Sequence, residues 1–360
     1  MEQSENRDLI KLGISTGDIN GIGPEIILKA LADNRINQMC TPVVYGSLKL
    51  FNFHRKQNQT GEFSFNITKS ADSVSTKQSN LINVWEEEAK IDIGQSTETG
   101  GAKAFESLQK ATEELKNKKI EALVTAPINK NNIQRENFKF PGHTEYLAHQ
   151  FGVTDYLMLL VHENLRVGTV TGHIPVAEVS KSITVDKILS KLKVMHESLI
   201  KDFNVRKPVI AVLGLNPHSG DNGLIGNEEK TIILPAIEHA KEKGMMVMGP
   251  YAADGFFGSG QYKKFDGILS MYHDQGLIPF KTLAFGHGIN FTAGLPVIRT
   301  SPDHGVGYDI AGKGIASEES FREAIYLAID IYKNRKNNAE ITSNPLKIMQ
   351  QRERRANAIE

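Results

Sequence analysis

Short apolar runs alternate with stretches of helical periodicity along this chain, and that alternation restricts the fold more than any other feature. Runs at 9–15, 42–45, 122–125, 156–161, 166–171, 209–213, 267–271 and 296–299 have the length of buried strands. Between them, 101–117, 183–201, 228–243 and 318–335 read as helices. Strands separated by helices form βαβ units, which predicts an α/β fold with a largely parallel sheet. No internal repeat of fixed period is present. Residues 52–80 are polar and weakly periodic and read as an elaborated surface excursion. Beyond Lys333 the chain is charged and rich in helix formers, an appended helix or a partly disordered tail with no assigned chemistry.

Bulk properties exclude several partners. The 360 residues carry 42 Lys+Arg against 42 Asp+Glu, so neither nucleic acid nor an anionic membrane surface is expected as a partner. No apolar run approaches the roughly 20 residues of a membrane span. The beginning, MEQSENRDLIK, lacks the apolar core of a secretion signal. The single cysteine, Cys40, can form no internal disulfide, and cytoplasm is the expected compartment. The sequons at Asn58 and Asn66 then read as chance matches.

Of the eleven histidines, His54, His149, His162, His196 and His239 lie in polar or helical contexts and read as surface or satisfied structural residues. The other six, His143, His173, His218, His273, His287 and His304, stand beside Gly, Pro or Asp. Three of these, His173, His218 and His273, end strand-like runs, where open α/β sheets bind ligands. Three imidazoles with an open position can hold a catalytic divalent cation. Three unrelated loop histidines, each bonded to backbone, fit the spacing equally well. Asp274, next to His273, reads either as a carboxylate behind a ligand or as the cap of a helix starting at Gln275.

Anion sites come next. In "STGDINGIGPEI" (Ser15 to Ile26), Gly21 and Gly23 sit in a strand-to-helix turn whose N–H groups could face an anion, although a tight βα turn is the simpler reading. Pro24 suits a first helical turn. The segment from Pro279 to Gly305 carries Lys281, Asn290 and Arg299 in surroundings poor in charge, which suggests a bound phosphate or carboxylate.

Seven motifs, "STGDINGIGPE", "TAPINK", "FPGHTEYLA", "TGHIPV", "GLNPHSGDNG", "MYHDQGLIPFK" and "GLPVIRTSPDHG", occur in order from Ser15 to Gly305. Together they resemble the 4-hydroxythreonine-4-phosphate dehydrogenase family of pyridoxal phosphate biosynthesis. "DHGVGYDIAGKGIA" is similar to the nucleotide-binding loop of the isocitrate and isopropylmalate dehydrogenase superfamily. The resemblance implies two α/β/α domains with mainly parallel sheets and an active-site cleft between them. One would be a discontinuous nucleotide-binding domain, 1–135 plus 295–345. The other, 136–294, would carry metal, substrate and dimerisation surfaces, followed by a tail at 346–360. It implies a homodimer with a shared active site, NAD (or NADP) as cofactor, and one divalent metal (Zn, Mg or Co) on His173, His218 and His273. Substrate contacts fall on His143, Thr144, Lys281, Asn290 and Arg299. Cofactor contacts fall on Gly21, Gly23, His304, Gly305 and Asp309. The implied reaction oxidises 4-phosphooxy-L-threonine at its secondary alcohol and releases CO2 to give 3-amino-2-oxopropyl phosphate. Asp18-Ile19-Asn20, Pro302 and Gly307-Tyr308 depart from the commonest family residues, and residues 52–80 are longer than expected.

For this chemistry, a Lewis acid on the alcohol oxygen stabilises the developing alkoxide, and Lys281 and Arg299 would orient the anionic ends. His143, Lys281 and Asp254 are the candidate proton acceptors. Asp254 sits in the apolar "GPYAADGFF", where a lone carboxylate is costly, or else simply forms a turn before Gly255. Rival readings are oxidative decarboxylation of a threonate or erythronate 4-phosphate, a non-catalytic binding protein on the same fold, and phosphate acyl transfer.

Overall fold

The computed structural model describes residues 9–58 and 63–344. The expected tail at 346–360 and part of the Asn58 sequon lie outside the described residues. Among the described residues, one mixed sheet of 12 strands runs in the order β3-β4-β2-β1-β5-β12-β11-β6-β7-β10-β8-β9. Its first half holds β1 (Lys11–Ser15), β2 (Thr41–Gly46), β3 (Asn66–Thr68), β4 (Asn80–Asn83), β5 (Ala122–Thr125) and the late strand β12 (Ile298–Pro302). The second half holds β6 (Leu157–His162), β7 (Leu165–Thr169), β8 (Val209–Leu213), β9 (Met246–Tyr251), β10 (Gly267–Ser270) and β11 (Ile289–Ala293). Pairings within each half are parallel except β6–β7 and β6–β11, and the antiparallel β11–β12 pair joins the halves.

Helices cover both faces: α1 (Gly23–Leu31), α2 (Leu48–Asn58), α3 (Glu98–Lys116), α4 (His143–Gln150), α5 (Val176–Ser182), α6 (Val185–Lys201), α7 (Leu234–Glu242), α8 (Ala253–Gly258), α9 (His273–Leu283) and α10 (Glu319–Thr342). Helix α10 shows why they dock. Phe321, Ile325 and Ile329 recur at i, i+4 and i+8 and are fully buried against the sheet. Each such side chain contributes about 2 kcal/mol on burial.

Residues 52–80 are not the surface excursion that their polarity predicts. They continue α2 and then form β3, which extends the sheet edge beside β4. An edge strand needs to bury only one row of side chains, so its sequence stays polar. Strand β11 was hidden inside the stretch read as an anion segment. It lies between Gly288 and Gly294, pairs with β6 and β12, and buries Phe291. Strand β9 is also absent from the sequence reading, because Met246 and Met248 remain exposed on its outer face.

Candidate active site

The cleft floor begins with Arg299 on β12. Its side chain is 3% exposed. Nε and Nη2 donate to Thr125 Oγ1 at the end of β5, at 3.1 and 2.8 Å, and Nη1 donates to Thr292 Oγ1 on β11 at 3.4 Å. Those acceptors are neutral hydroxyls, and no carboxylate among the described residues forms an ion pair with the guanidinium. Burial pulls its pKa down to about 10, which measures how poorly the cation is compensated from within. Thr144 Oγ1 lies 3.3 Å from Thr292 Oγ1.

His143 opens helix α4 and is almost fully buried, and its Nε2 has no hydrogen-bond partner. Burial first, then the charges of Arg299 and Lys130, hold its pKa well below the ordinary imidazole value. It is therefore a neutral imidazole at the cleft wall. Asn290, on β11, likewise presents a buried Oδ1 with no partner.

His173 and His273 meet for a reason visible in the backbone. The β7–β10 pairing continues past both strands, with Val170 N donating to Ser270 O at 2.8 Å and Thr171 N to Met271 O at 3.1 Å. The two following turns are thereby laid side by side, and the rings stand 5.5 Å apart. Partial burial, Lys130 and His273 lower the His173 pKa. His273 Nδ1 is 2.7 Å from Asp274 Oδ1, which ties the ring through that nitrogen. Helix α9 starts at His273, not Gln275, so Asp274 lies in its first turn and does not cap it. Gln275 does bridging work instead: its Oε1 accepts from Met271 N at 2.7 Å, and its Nε2 donates to Gly214 O at 2.6 Å.

His218 stands apart. It is exposed on a loop after β8 and does not line the cleft. Residues 218 to 222 all have left-handed φ values, from 40° to 79°. Such backbone costs about 1 kcal/mol or more per non-glycine residue and persists only where surroundings impose it. The buried carboxylate of Glu229 holds the start of this loop, accepting from Leu215 N and Asn216 N at 2.8 and 2.7 Å. Among the described residues, no group of three His, Cys, Asp or Glu side chains is arranged to hold a metal ion.

Other predicted residues divide similarly. Lys281 lines the cleft and donates to Asp303 O at 3.3 Å. His304 and Gly305 also line it, and His304 Nε2 is buried without a partner. A Cβ on Gly305 would meet nothing within 4 Å, so its backbone faces open space. Asp309 is exposed outside the cleft lining. Asp254 is exposed on the first turn of α8, also outside the lining, so the expected cost of an apolar setting does not arise. Gly21 and Gly23 are buried against protein: Gly21 presses on Val306, Gly23 on Thr16 O, and Ile22 N donates to Val306 O at 2.9 Å. The tight-turn reading describes this geometry better than the anion reading.

The whole cleft has a volume of about 660 Å³. Its walls carry Lys130, Lys187, Lys191, Lys281 and Arg299 against only Glu145 and Asp303, an excess of positive charge suited to a phosphorylated ligand. Sequence reasoning singled out neither Lys130 nor the α6 pair Lys187 and Lys191. The pair's i, i+4 spacing resembles an ordinary solvated face. Lys130, just beyond the carboxyl end of β5, was the findable one.

The fold and cleft together define a class, an α/β enzyme whose site lies between the two halves of its sheet. The chain belongs to the family described as pyridoxal phosphate biosynthetic protein PdxA, whose model matches residues 38–328. It is 49% identical over 339 residues to a 4-hydroxythreonine-4-phosphate dehydrogenase of Bacteroides thetaiotaomicron, covering 94% of this chain and 93% of that one. A relative from Oceanobacillus iheyensis with the provisional name D-threonate 4-phosphate dehydrogenase is 38% identical, covering 89% and 97%. The crystal structure of 4-hydroxythreonine-4-phosphate dehydrogenase from Klebsiella pneumoniae superposes with a TM-score of 0.79 at 36% identity, covering 91% and 99%. Family membership makes the chain a dehydrogenase of pyridoxal phosphate biosynthesis, and such an enzyme uses a nicotinamide cofactor. No described helix is long and apolar enough to cross a membrane.

Proposed function

We propose that the chain oxidises 4-phosphooxy-L-threonine at its secondary alcohol with NAD, and that the resulting β-keto acid loses CO2 to leave 3-amino-2-oxopropyl phosphate. The observation that carries this reading is Arg299, a buried guanidinium with only hydroxyl partners, opening on a cleft with surplus cations. A dianionic phosphate supplies the charge the fold withholds. Lys281, Asn290, Thr144 and His143 share the same wall and complete the substrate contacts.

The paired imidazoles of His173 and His273, 5.5 Å apart, fit a divalent metal by donor chemistry. Such an ion, held by these histidines, would supply Lewis-acid stabilisation of developing negative charge on oxygen, and nicotinamide would supply the hydride acceptor. His143, kept neutral and lacking a partner at Nε2, is suited to accept the hydroxyl proton. Lys281 is the alternative. Arg299 and Lys281 orient the substrate so that its C–H faces the cofactor, and His304 with the open backbone of Gly305 fits the nicotinamide nucleotide.

The third metal donor, His218, belongs in this reading to a site completed in a homodimer. Large exposed apolar side chains flank each of the three histidines: Val176 after His173 at 79%, Leu224 after His218 at 82%, and Ile278 after His273 at 62%. Such flanks are suited to burial against a second copy. The domain division 1–135 with 295–345 against 136–294 is supported by the return of β12 to lie beside β5.

The test is NADH formation with 4-phosphooxy-L-threonine against threonate and erythronate 4-phosphates, with and without chelator. Chelator-sensitive turnover favouring the amino acid is the expected result. Preference for a hydroxy acid, as the Oceanobacillus name suggests for that relative, would replace the substrate and retain the chemistry.

A further inference from the structure

We infer that Lys130 binds the substrate's carboxylate, the group that departs as CO2, and so selects carboxylate-bearing substrates; this rests on the functional reading above. The substrate has two anionic ends. Arg299 and its hydroxyls form one receptor, and the other end needs a cation near the imidazole pair. Lys130 Nζ stands 3.4 Å from His173 Nε2 and lines the cleft. That contact puts the ammonium at the imidazole end of the cleft.

The ammonium is free to take up this role. No described carboxylate forms an ion pair with it, and its recorded side-chain contact is the imidazole. An imidazole lone pair cannot serve an ammonium and a metal at once, so occupation of His173 releases the lysine for an anion. Nor does the fold need the side chain. The turn is held by main-chain and neighbouring groups: Asn129 Oδ1 accepts from Asn131 N at 2.8 Å, and Gln134 Nε2 donates to Lys130 O at 2.9 Å.

The division of cations suits the reaction. Phosphate stays bound throughout, so a buried guanidinium can grip it firmly. The carboxylate must become neutral CO2: its C–C bond breaks, the electron pair passes to the ketone oxygen as an enolate, and a proton then returns to carbon. A buried ion pair would hold the charged carboxylate back. An exposed ammonium, which Lys130 is, binds it weakly enough to release it.

The test uses the metal-loaded enzyme with NAD, as wild type, Lys130→Met and Lys130→Arg. Three ligands are compared: 4-phosphooxy-L-threonine as substrate, and 1-amino-3-phosphooxypropan-2-ol and inorganic phosphate as inhibitors. The second is the substrate without its carboxylate. Lys130→Met should raise KM for the substrate roughly tenfold, lower kcat by less, and leave both inhibition constants within about twofold. Lys130→Arg should restore most of the loss. Equal weakening of all three ligands, weakening of phosphate, or an unchanged KM in an active variant would overturn the inference and leave the function standing. A wild type inactive on 4-phosphooxy-L-threonine would instead overturn the functional reading beneath it.

Discussion

The glycine turn after β1 and the floor of the cleft around Arg299 both qualify as anion sites by composition, and they end in opposite conditions. At the turn, Gly21 N donates to Asp18 O at 3.2 Å. Ile22 N is bonded to Val306 O, and a Cβ on Gly21 would lie 2.2 Å from Val306 Cγ1 and 2.7 Å from Val306 O. At the floor, a full positive charge meets only hydroxyl oxygens and faces space. A ligand site is marked by polar capacity the protein leaves unspent, more than by the residue types that supply it.

That contrast can be broken most forcefully at Arg299. Arg299→Gln should lower kcat/KM roughly 1000-fold, about 4 kcal/mol, because the phosphate loses its buried cation. A loss under tenfold would place the phosphate elsewhere.

The next largest effect lies near the turn and concerns stability. His54 is buried on α2, its Nε2 is bonded to Ile19 O at 2.9 Å, and burial lowers its pKa to about 4. The unfolded chain takes up this proton near pH 6.5, whereas the folded chain does not until about pH 4. Its contribution is therefore intact above pH 6.5 and is lost on acidification through that window, about 3 kcal/mol in all. Denaturant midpoints measured from pH 7 to pH 4 should fall, and His54→Gln should flatten that part of the fall.

Gly21→Ala sharpens the comparison directly. It should cost about 2 kcal/mol of stability through overpacking against Val306 while moving KM for NAD less than twofold. A rise in KM without loss of stability would make the turn a cofactor site after all. The smallest effect is expected at Tyr308, whose hydroxyl donates to the buried Asp18 Oδ2 at 2.7 Å. Asn132 Nδ2 also donates to that oxygen at 2.7 Å, so Tyr308→Phe should cost only about 1 kcal/mol in thermal unfolding. Asp18 and Tyr308, both among the departures from the commonest family residues, thus join the turn to the last loop.

Much of the fold was legible because its signals are local. The strands at 122–125 and 209–213 match the structure residue for residue, since fully buried strands read as continuous apolar runs. Edge strands β3 and β9 were missed, because half-exposed strands carry polar or mixed sequences. Within the site, the histidines beside Gly, Pro and Asp were visible, as were Lys281, Asn290 and Arg299. Lys130 was passed over although it stands just beyond the carboxyl end of β5, because a lysine in a polar turn resembles a solvated one.

The sequence by itself determined the alternation of strands and helices, the loop histidines and a charge-poor segment carrying Arg299. Only the tertiary structure decided that His173 and His273 meet, that His218 stands on a strained loop away from the cleft, and that the glycine turn closes on Val306. The physical reason is range. Side-chain periodicity is written over a few residues, whereas the satisfaction of a donor or a charge depends on neighbours more than 100 positions away, as Arg299 and Thr125 are.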